Sequence, residues 1–168
     1  MKKLSLLLVL FTAFTFSAEA QKAKSPRMQA EGEVFGSKVV VDYGAPSVRG
    51  RVIWGGLEEY GKVWRAGANE NTTIEFDKDV KVGDKTLAAG KYGFFIIPNE
   101  GSDWVLIFSK KNDAWGAYDY KESDDALRVN VKPLFVDDVQ EMLQFRIGEN
   151  TIMFSWEKAR IVFPFSPM

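Results

Sequence analysis

The chain contains no cysteine and no histidine. Without cysteine there is no disulfide, no thiol nucleophile and no attachment point for the lipid that anchors some exported proteins, so stability must come from packing alone. Without histidine, Ser-His-Asp and Cys-His catalysis, the usual zinc sites and the commonest general base near neutral pH are excluded. Carboxylate chemistry, lysine chemistry and hard-ion binding through oxygen remain. Excess charge is also lacking: 22 Lys and Arg face 23 Asp and Glu, a formal net charge of −1. That is no footprint for nucleic acid or for an anionic membrane. No Gly-rich phosphate loop is present. Beyond the first residues, no apolar run approaches the roughly 20 residues of a membrane span. No window there keeps apolar residues at i, i+3, i+4 and i+7 over three helical turns.

What the chain does have begins with the pattern of an export signal. Met1-Lys2-Lys3 is a short cationic segment, Leu4 to Phe16 is apolar, and Ala18-Glu19-Ala20 supplies the small residues a signal peptidase needs. Cleavage is expected before Gln21. The expected organisation is a secretory signal over 1–20, a loose polar leader over 21–27 and a single domain over 28–168. The mature protein is expected to be soluble and either periplasmic or extracellular.

The body reads as short strands joined by tight turns. Glu33 to Tyr43 reads as a hairpin about Gly36-Ser37, and Asn71 to Phe76 alternates as a half-buried strand. Val80 to Leu87 turns at Gly83-Asp84, and Tyr92 to Ile97 and Trp104 to Ser109 flank the turn Asn99-Glu100-Gly101-Ser102-Asp103. Further strands are expected at Leu127 to Val131, Glu141 to Ile147, Thr151 to Trp156 and Ala159 to Phe165. Gly148-Glu149-Asn150 is the turn between two of them, and Pro164 and Pro167 suit a sheet edge. Phe94, Phe95, Trp104, Phe108, Phe145, Phe154, Trp156 and Phe163 fall on strand patterns as core residues. The fold class is all-β, a single antiparallel β-sandwich, with a partly open barrel as the alternative.

One stretch fits neither period. Arg51 to Thr73, RVIWGGLEEYGKVWRAGANENTT, packs two Trp, one Tyr, two Arg, one Lys, three Glu, two Asn and four Gly. A long ordered loop of this kind is either functional or stapled by its own side chains. In the functional reading, Trp54, Tyr60 and Trp64 supply flat amphipathic surfaces, Arg51 and Arg65 supply planar donor forks, and Asn69 and Glu70 stand at the foot of a strand. Such a set suits a small polar ligand: a sugar, a carboxylate or a peptide end. In the packing reading, Trp54 and Trp64 plug the open end of the sandwich and Arg65 pairs with a buried carboxylate or caps loop carbonyls.

A second dense stretch, Lys110 to Asp125, carries Trp115 and Tyr118 among several carboxylates. It lacks the ordered ladder of a calcium loop and reads as a solvated acidic segment. If it lies beside the central stretch, Trp115 and Tyr118 extend the same surface.

The strings GRVIWGGLEEYGKVWRAGANENTTIEFDKDV from Gly50, LAAGKYGFFIIP from Leu87, WGAYDY from Trp115, ALRVNVKP from Ala126 and MFSWEKARIVFPF from Met153 carry a resemblance. Together they resemble a widespread bacterial family of exported proteins known only as a domain of unknown function. The resemblance covers nearly all of the chain after the signal. It implies export and a compact β-rich domain, and brings no activity with it. Amide-forming synthetase names attached to some relatives would require a nucleotide site and a Cys nucleophile, for which this sequence has no residues.

The expected function is a non-catalytic binding module for a small polar ligand, using residues 51–71. The alternative is an envelope or secretion-associated protein-interaction domain, and third comes a hydrolase using two carboxylates, with Glu58, Glu70 and Asp119 as candidates. Lys62 is a further candidate for ligand contact. The sequence calls for no catalytic residue, no cofactor and no metal site.

Overall fold

The computed structural model describes residues 25–168, so the expected signal over 1–20 and residues 21–24 of the expected leader lie outside the described residues. The strands are β1 (Arg27–Val34), β2 (Ser37–Gly44), β3 (Thr72–Phe76), β4 (Val80–Val82), β5 (Lys85–Leu87), β6 (Gly90–Ile97), β7 (Trp104–Ser109), β8 (Asp125–Val131), β9 (Leu134–Gly148), β10 (Thr151–Val162) and β11 (Phe165–Ser166). A short 3-10 turn at Glu122–Asp124 is the only helical element among the described residues. Arg27, at the end of the expected leader, opens β1.

Six strands form one antiparallel sheet in the order β1-β2-β3-β6-β7-β8. The long β9–β10 hairpin and a small β11-β4-β5 sheet make the opposing layer. The sheets do not close, so the molecule is a β-sandwich and the barrel alternative falls. Side chains of alternate residues fill the space between layers, as strand geometry requires. Val39, Val41 and Tyr43 of β2, Ile74 and Phe76 of β3, Phe94 of β6 and Phe108 of β7 meet Phe145 of β9 and Phe154, Ala159 and Ile161 of β10. Tyr43 lies edge-on to Phe145 at 4.9 Å, and Phe94 stacks on Phe163 at 5.2 Å.

Two elements differ from the sequence reading for identifiable reasons. The first hairpin turns at Phe35-Gly36, both at positive φ, because Ser37 is drawn into the sheet. There it donates to Asp77 Oδ1 and Lys78 O, both at 3.2 Å. The expected strands at Thr151 to Trp156 and Ala159 to Phe165 are one strand through Val162. The register with β9 shifts on either side of Glu157, which has φ 51°. This bulge changes which parity faces inward, from Ile152, Phe154 and Trp156 before it to Ala159 and Ile161 after it.

The outer face of the six-stranded sheet is covered at its centre. Phe95 and Ile107 point away from the sandwich core yet are buried. Tyr120 packs on Phe95 at 5.1 Å, and its hydroxyl donates to Asp125 Oδ2 at 2.6 Å. Arg128 donates to the same carboxylate oxygen at 2.6 Å and to the Tyr120 hydroxyl at 2.6 Å. Residues 110–125 are therefore a cover stitched to the sheet, and only part of that stretch is a solvated acidic segment.

Candidate functional site

Between β2 and β3 the chain runs without regular structure, but nearly every step is tied down. Pro46 O accepts from Leu143 N, and Val48 N donates to Glu141 O, both at 2.8 Å, so the loop begins by pairing along β9. Val52 to Glu58 then closes a compact turn: Leu57 N donates to Val52 O at 3.0 Å, Glu58 N to Ile53 O at 2.9 Å, and Gly55 N to Glu58 O at 2.9 Å. Further on, Trp64 and Ile96 exchange both main-chain hydrogen bonds at 2.8 Å. Trp64 thus takes the place beside β6 that β3, starting only at Thr72, leaves open.

The loop returns through Ala66-Gly67-Ala68-Asn69, where the backbone passes tightly under the end of β2. Ala66 and Asn69 have φ of 52° and 64°, and Ala68 N donates to Gly44 O at 3.2 Å. A Cβ on Gly44 would fall 2.1 Å from Ala68 O, so glycine is required for that approach. Arg27 clamps the exit: it pairs with Asp42 and donates to Glu70 O and Asn71 O, each at 3.2 Å.

The cover over the sheet joins here. Asn71 N donates to Ala114 O at 3.0 Å, Gly116 N to Asn69 O at 3.2 Å, and Glu70 bridges Trp115. The central loop and residues 114–118 are therefore neighbours, and a cavity of about 350 Å3 opens between them. Its apolar wall is Leu57, Val63, Trp64 and Ala117, with Tyr118 at the rim. Its charged groups are Glu58, Glu59, Lys62 and Arg65.

The candidate residues fare differently. Trp54 is 9 % exposed and Trp64 4 %. They join Trp104 and Trp156 in one cluster, with Trp54–Trp104 at 4.6 Å and Trp64–Trp156 stacked at 5.5 Å. Trp54 is not in the cavity wall, and Trp64, though nearly buried, is. Arg51 is also a staple: its Nε donates to Val48 O at 3.1 Å and a terminal nitrogen to Ser47 O at 2.6 Å. Tyr60 packs on the core, its phenol pushed up by burial and by Glu100 and Glu157, and it is not in the cavity wall. Asn69, Glu70 and Trp115 lie at the junction of the two loops, outside the wall, with Trp115 60 % exposed. Arg65 and Tyr118 do line the cavity, and Tyr118 is 86 % exposed.

Several buried side-chain atoms lack a hydrogen-bond partner, among them Trp54 Nε1, Asn71 Oδ1 and Trp156 Nε1, and of these residues Arg65 is the one on the cavity wall. Its Nε is sealed from solvent without a hydrogen-bond partner, and its guanidinium lies over Gly116. Beside it, the Glu58 carboxyl is half-buried and raised to about 7 by desolvation, although Arg65 and then Arg51 pull it down. Such a carboxyl can hold or release a proton near neutrality. Glu70 and Asp119, the other carboxylates considered for acid–base work, do not line the cavity. Among the described residues no group of three or more ligating side chains could hold a metal ion. Leu57, Glu58, Glu59, Val63 and Ala117 are the wall residues the sequence did not single out as ligand contacts. The available signal was the Glu58-Glu59 pair held between glycines with Arg65 downstream.

No curated protein and no solved structure matches this chain. Its strands, central loop and cover together span the part of the chain that a family model recognises. Residues 25–165 match DUF2911, a protein family of unknown function, and the chain belongs to that family.

Proposed function

We propose that this protein is an exported, non-catalytic binding module whose small polar ligand occupies the cavity between the central loop and residues 114–118. The observation carrying this reading is Arg65: a half-buried guanidinium on the wall of a 350 Å3 cavity, with no hydrogen bond from its Nε and no ion pair at contact distance to a carboxylate of the protein. Such a planar fork on a cavity wall suits an anionic group of a ligand. The cavity volume lies within the range of ordinary ligand pockets, about 300 to 1,000 Å3. Export rests on the Met1 to Ala20 pattern.

A thermal-shift screen of the purified protein against sugars, small carboxylates, amino acids and short peptides tests this, with Arg65→Ala in parallel. A ligand at 100 times its dissociation constant adds about 2.7 kcal/mol of stability. The expected result is a shift in the wild type that a folded Arg65→Ala protein loses. Silence across the panel sinks the pocket reading and favours the alternative, protein interaction. That alternative draws on β9, where Leu134, Phe135 and Val139 are exposed. Fractionation into periplasm, medium and cytoplasm tests export.

A further inference from the structure

We infer that the ligand of this cavity is a small zwitterion, an α-amino acid or short peptide with an apolar side chain, its carboxylate on Arg65 and its ammonium on Glu58. This rests on the binding reading above and narrows it.

The argument is one of uncommitted charge. Glu58, Glu59, Lys62 and Arg65 line one cavity, and although Arg65 and Arg51 attract Glu58 through space, no side chain of the four closes to a hydrogen bond or a contact ion pair with the protein. Elsewhere, cations close to carboxylates pair with them, as Arg27 does with Asp42 and Arg128 with Asp125 at 2.6 Å. A ligand carrying only a carboxylate would satisfy Arg65 while facing two glutamates. One carrying only an amine would meet Glu58 while facing Lys62 and Arg65. Like charges brought together in a partly desolvated site oppose binding, so only a ligand with both signs fits both halves of the wall. Arg65 provides the planar fork that a carboxylate accepts in two bonds. Half-buried Glu58 is the better ammonium acceptor, since Glu59 is exposed. Leu57, Val63 and Ala117 form the apolar wall, and the Tyr118 ring, against Gly116 on one side, is otherwise exposed at the rim. Those surfaces favour an aliphatic or aromatic side chain over a sugar, which would want hydroxyl partners along the wall.

Calorimetric titration of the full mature protein with L-phenylalanine and L-leucine provides the test, with N-acetyl-L-phenylalanine and L-phenylalanine amide as one-charge controls. The expected result is binding of at least one zwitterion, with its blocked forms at least tenfold weaker. Glu58→Gln should weaken the free amino acid at least tenfold and leave the N-acetyl form unchanged, whereas Arg65→Lys should weaken both. The blocked ligands probe the wild-type protein, so the test survives a variant that fails to fold. If N-acetyl-L-phenylalanine binds as well as L-phenylalanine, the site takes plain carboxylates: the zwitterion inference is overturned and the pocket reading stands. Binding of a sugar but no amino acid or peptide has the same effect. If neither these probes nor the wider thermal-shift panel bind, the pocket reading falls and takes this inference with it.

Discussion

The indole of Trp64 stacks on that of Trp156, 21° from parallel with ring centroids 5.5 Å apart, while its Nε1 donates to Gly67 O at 3.1 Å. One side chain thus fixes the central loop to β10 and to its own return path. Replacing Trp64 with alanine should cost about 3 to 5 kcal/mol, the usual range for emptying a buried aromatic site. Urea denaturation measures the loss. Near-UV circular dichroism should also change more than for Trp115→Ala, since Trp115 is largely exposed.

The close passage at Gly44 separates steric from conformational demands on glycine. Gly44→Ala would drive a methyl to 2.1 Å from Ala68 O, main chain that cannot move aside cheaply. A loss on the order of 3 kcal/mol or more is expected. Gly50 has φ +66° but nothing within 4 Å of an added Cβ, so Gly50→Ala should cost only about 1 to 2 kcal/mol. Equal losses in equilibrium unfolding would refute the distinction.

Glu58 should make the protein less stable in alkali. Burial raises its folded-state value from 4.5 to about 7, so between those limits the native state holds a proton that the unfolded chain gives up. Its stabilising contribution is full below pH 4.5 and is lost as pH rises through about 7, a change on the order of 2 kcal/mol after allowing for solvent screening. The groups around it are Arg65, Arg51, Glu59 and Lys62. Glu58→Gln cannot ionise, so it should match the wild type at pH 4 and exceed it at pH 8. Denaturation midpoints at the two pH values decide the matter. A carboxyl that destabilises the fold at neutral pH is what a binding site, rather than a packing role, would retain.

Arg27 ties β1 to the exit of the central loop through Asp42, Glu70 O and Asn71 O. Because the pair is part exposed, Arg27→Ala should cost only roughly 1 kcal/mol globally. The effect should be local: faster amide hydrogen exchange at Asn71 and Thr72, with β9 and β10 unchanged. Uniform acceleration across the domain would count against the clamp.

Much of the fold is legible in the sequence because tight turns announce themselves locally. The turns at Gly83-Asp84 and Asn99 to Asp103, and the strands Thr72–Phe76 and Trp104–Ser109, need only neighbouring residues to specify them. The single β10 was hidden because the bulge at Glu157 breaks the alternation that marks a strand. The first half of β9 was hidden because Leu134, Phe135 and Val136 are all exposed, without the period-two signal. The candidate site was half legible. Density of Arg, Glu and aromatic residues marked the loop, but no local pattern says that Trp54 turns inward while Tyr118 turns out. That choice is made by partners distant in sequence: Trp156 beneath the loop, Ile96 at its side and Asn69 against Gly116.

The four-indole cluster also sets an order of events. Trp54 and Trp64 come early in the domain and Trp104 at its middle, but Trp156 belongs to β10, after nine of the eleven strands. Contacts between residues so far apart form only after long loops have closed, which slows folding. A chain emerging from its N-terminal end can pair β1 with β2 at once, yet it has no floor on which to lay the central loop. Trp64, on the cavity wall, has its stacking partner only once β10 is in place, so the cavity with its full support belongs to the folded domain and not to its N-terminal half.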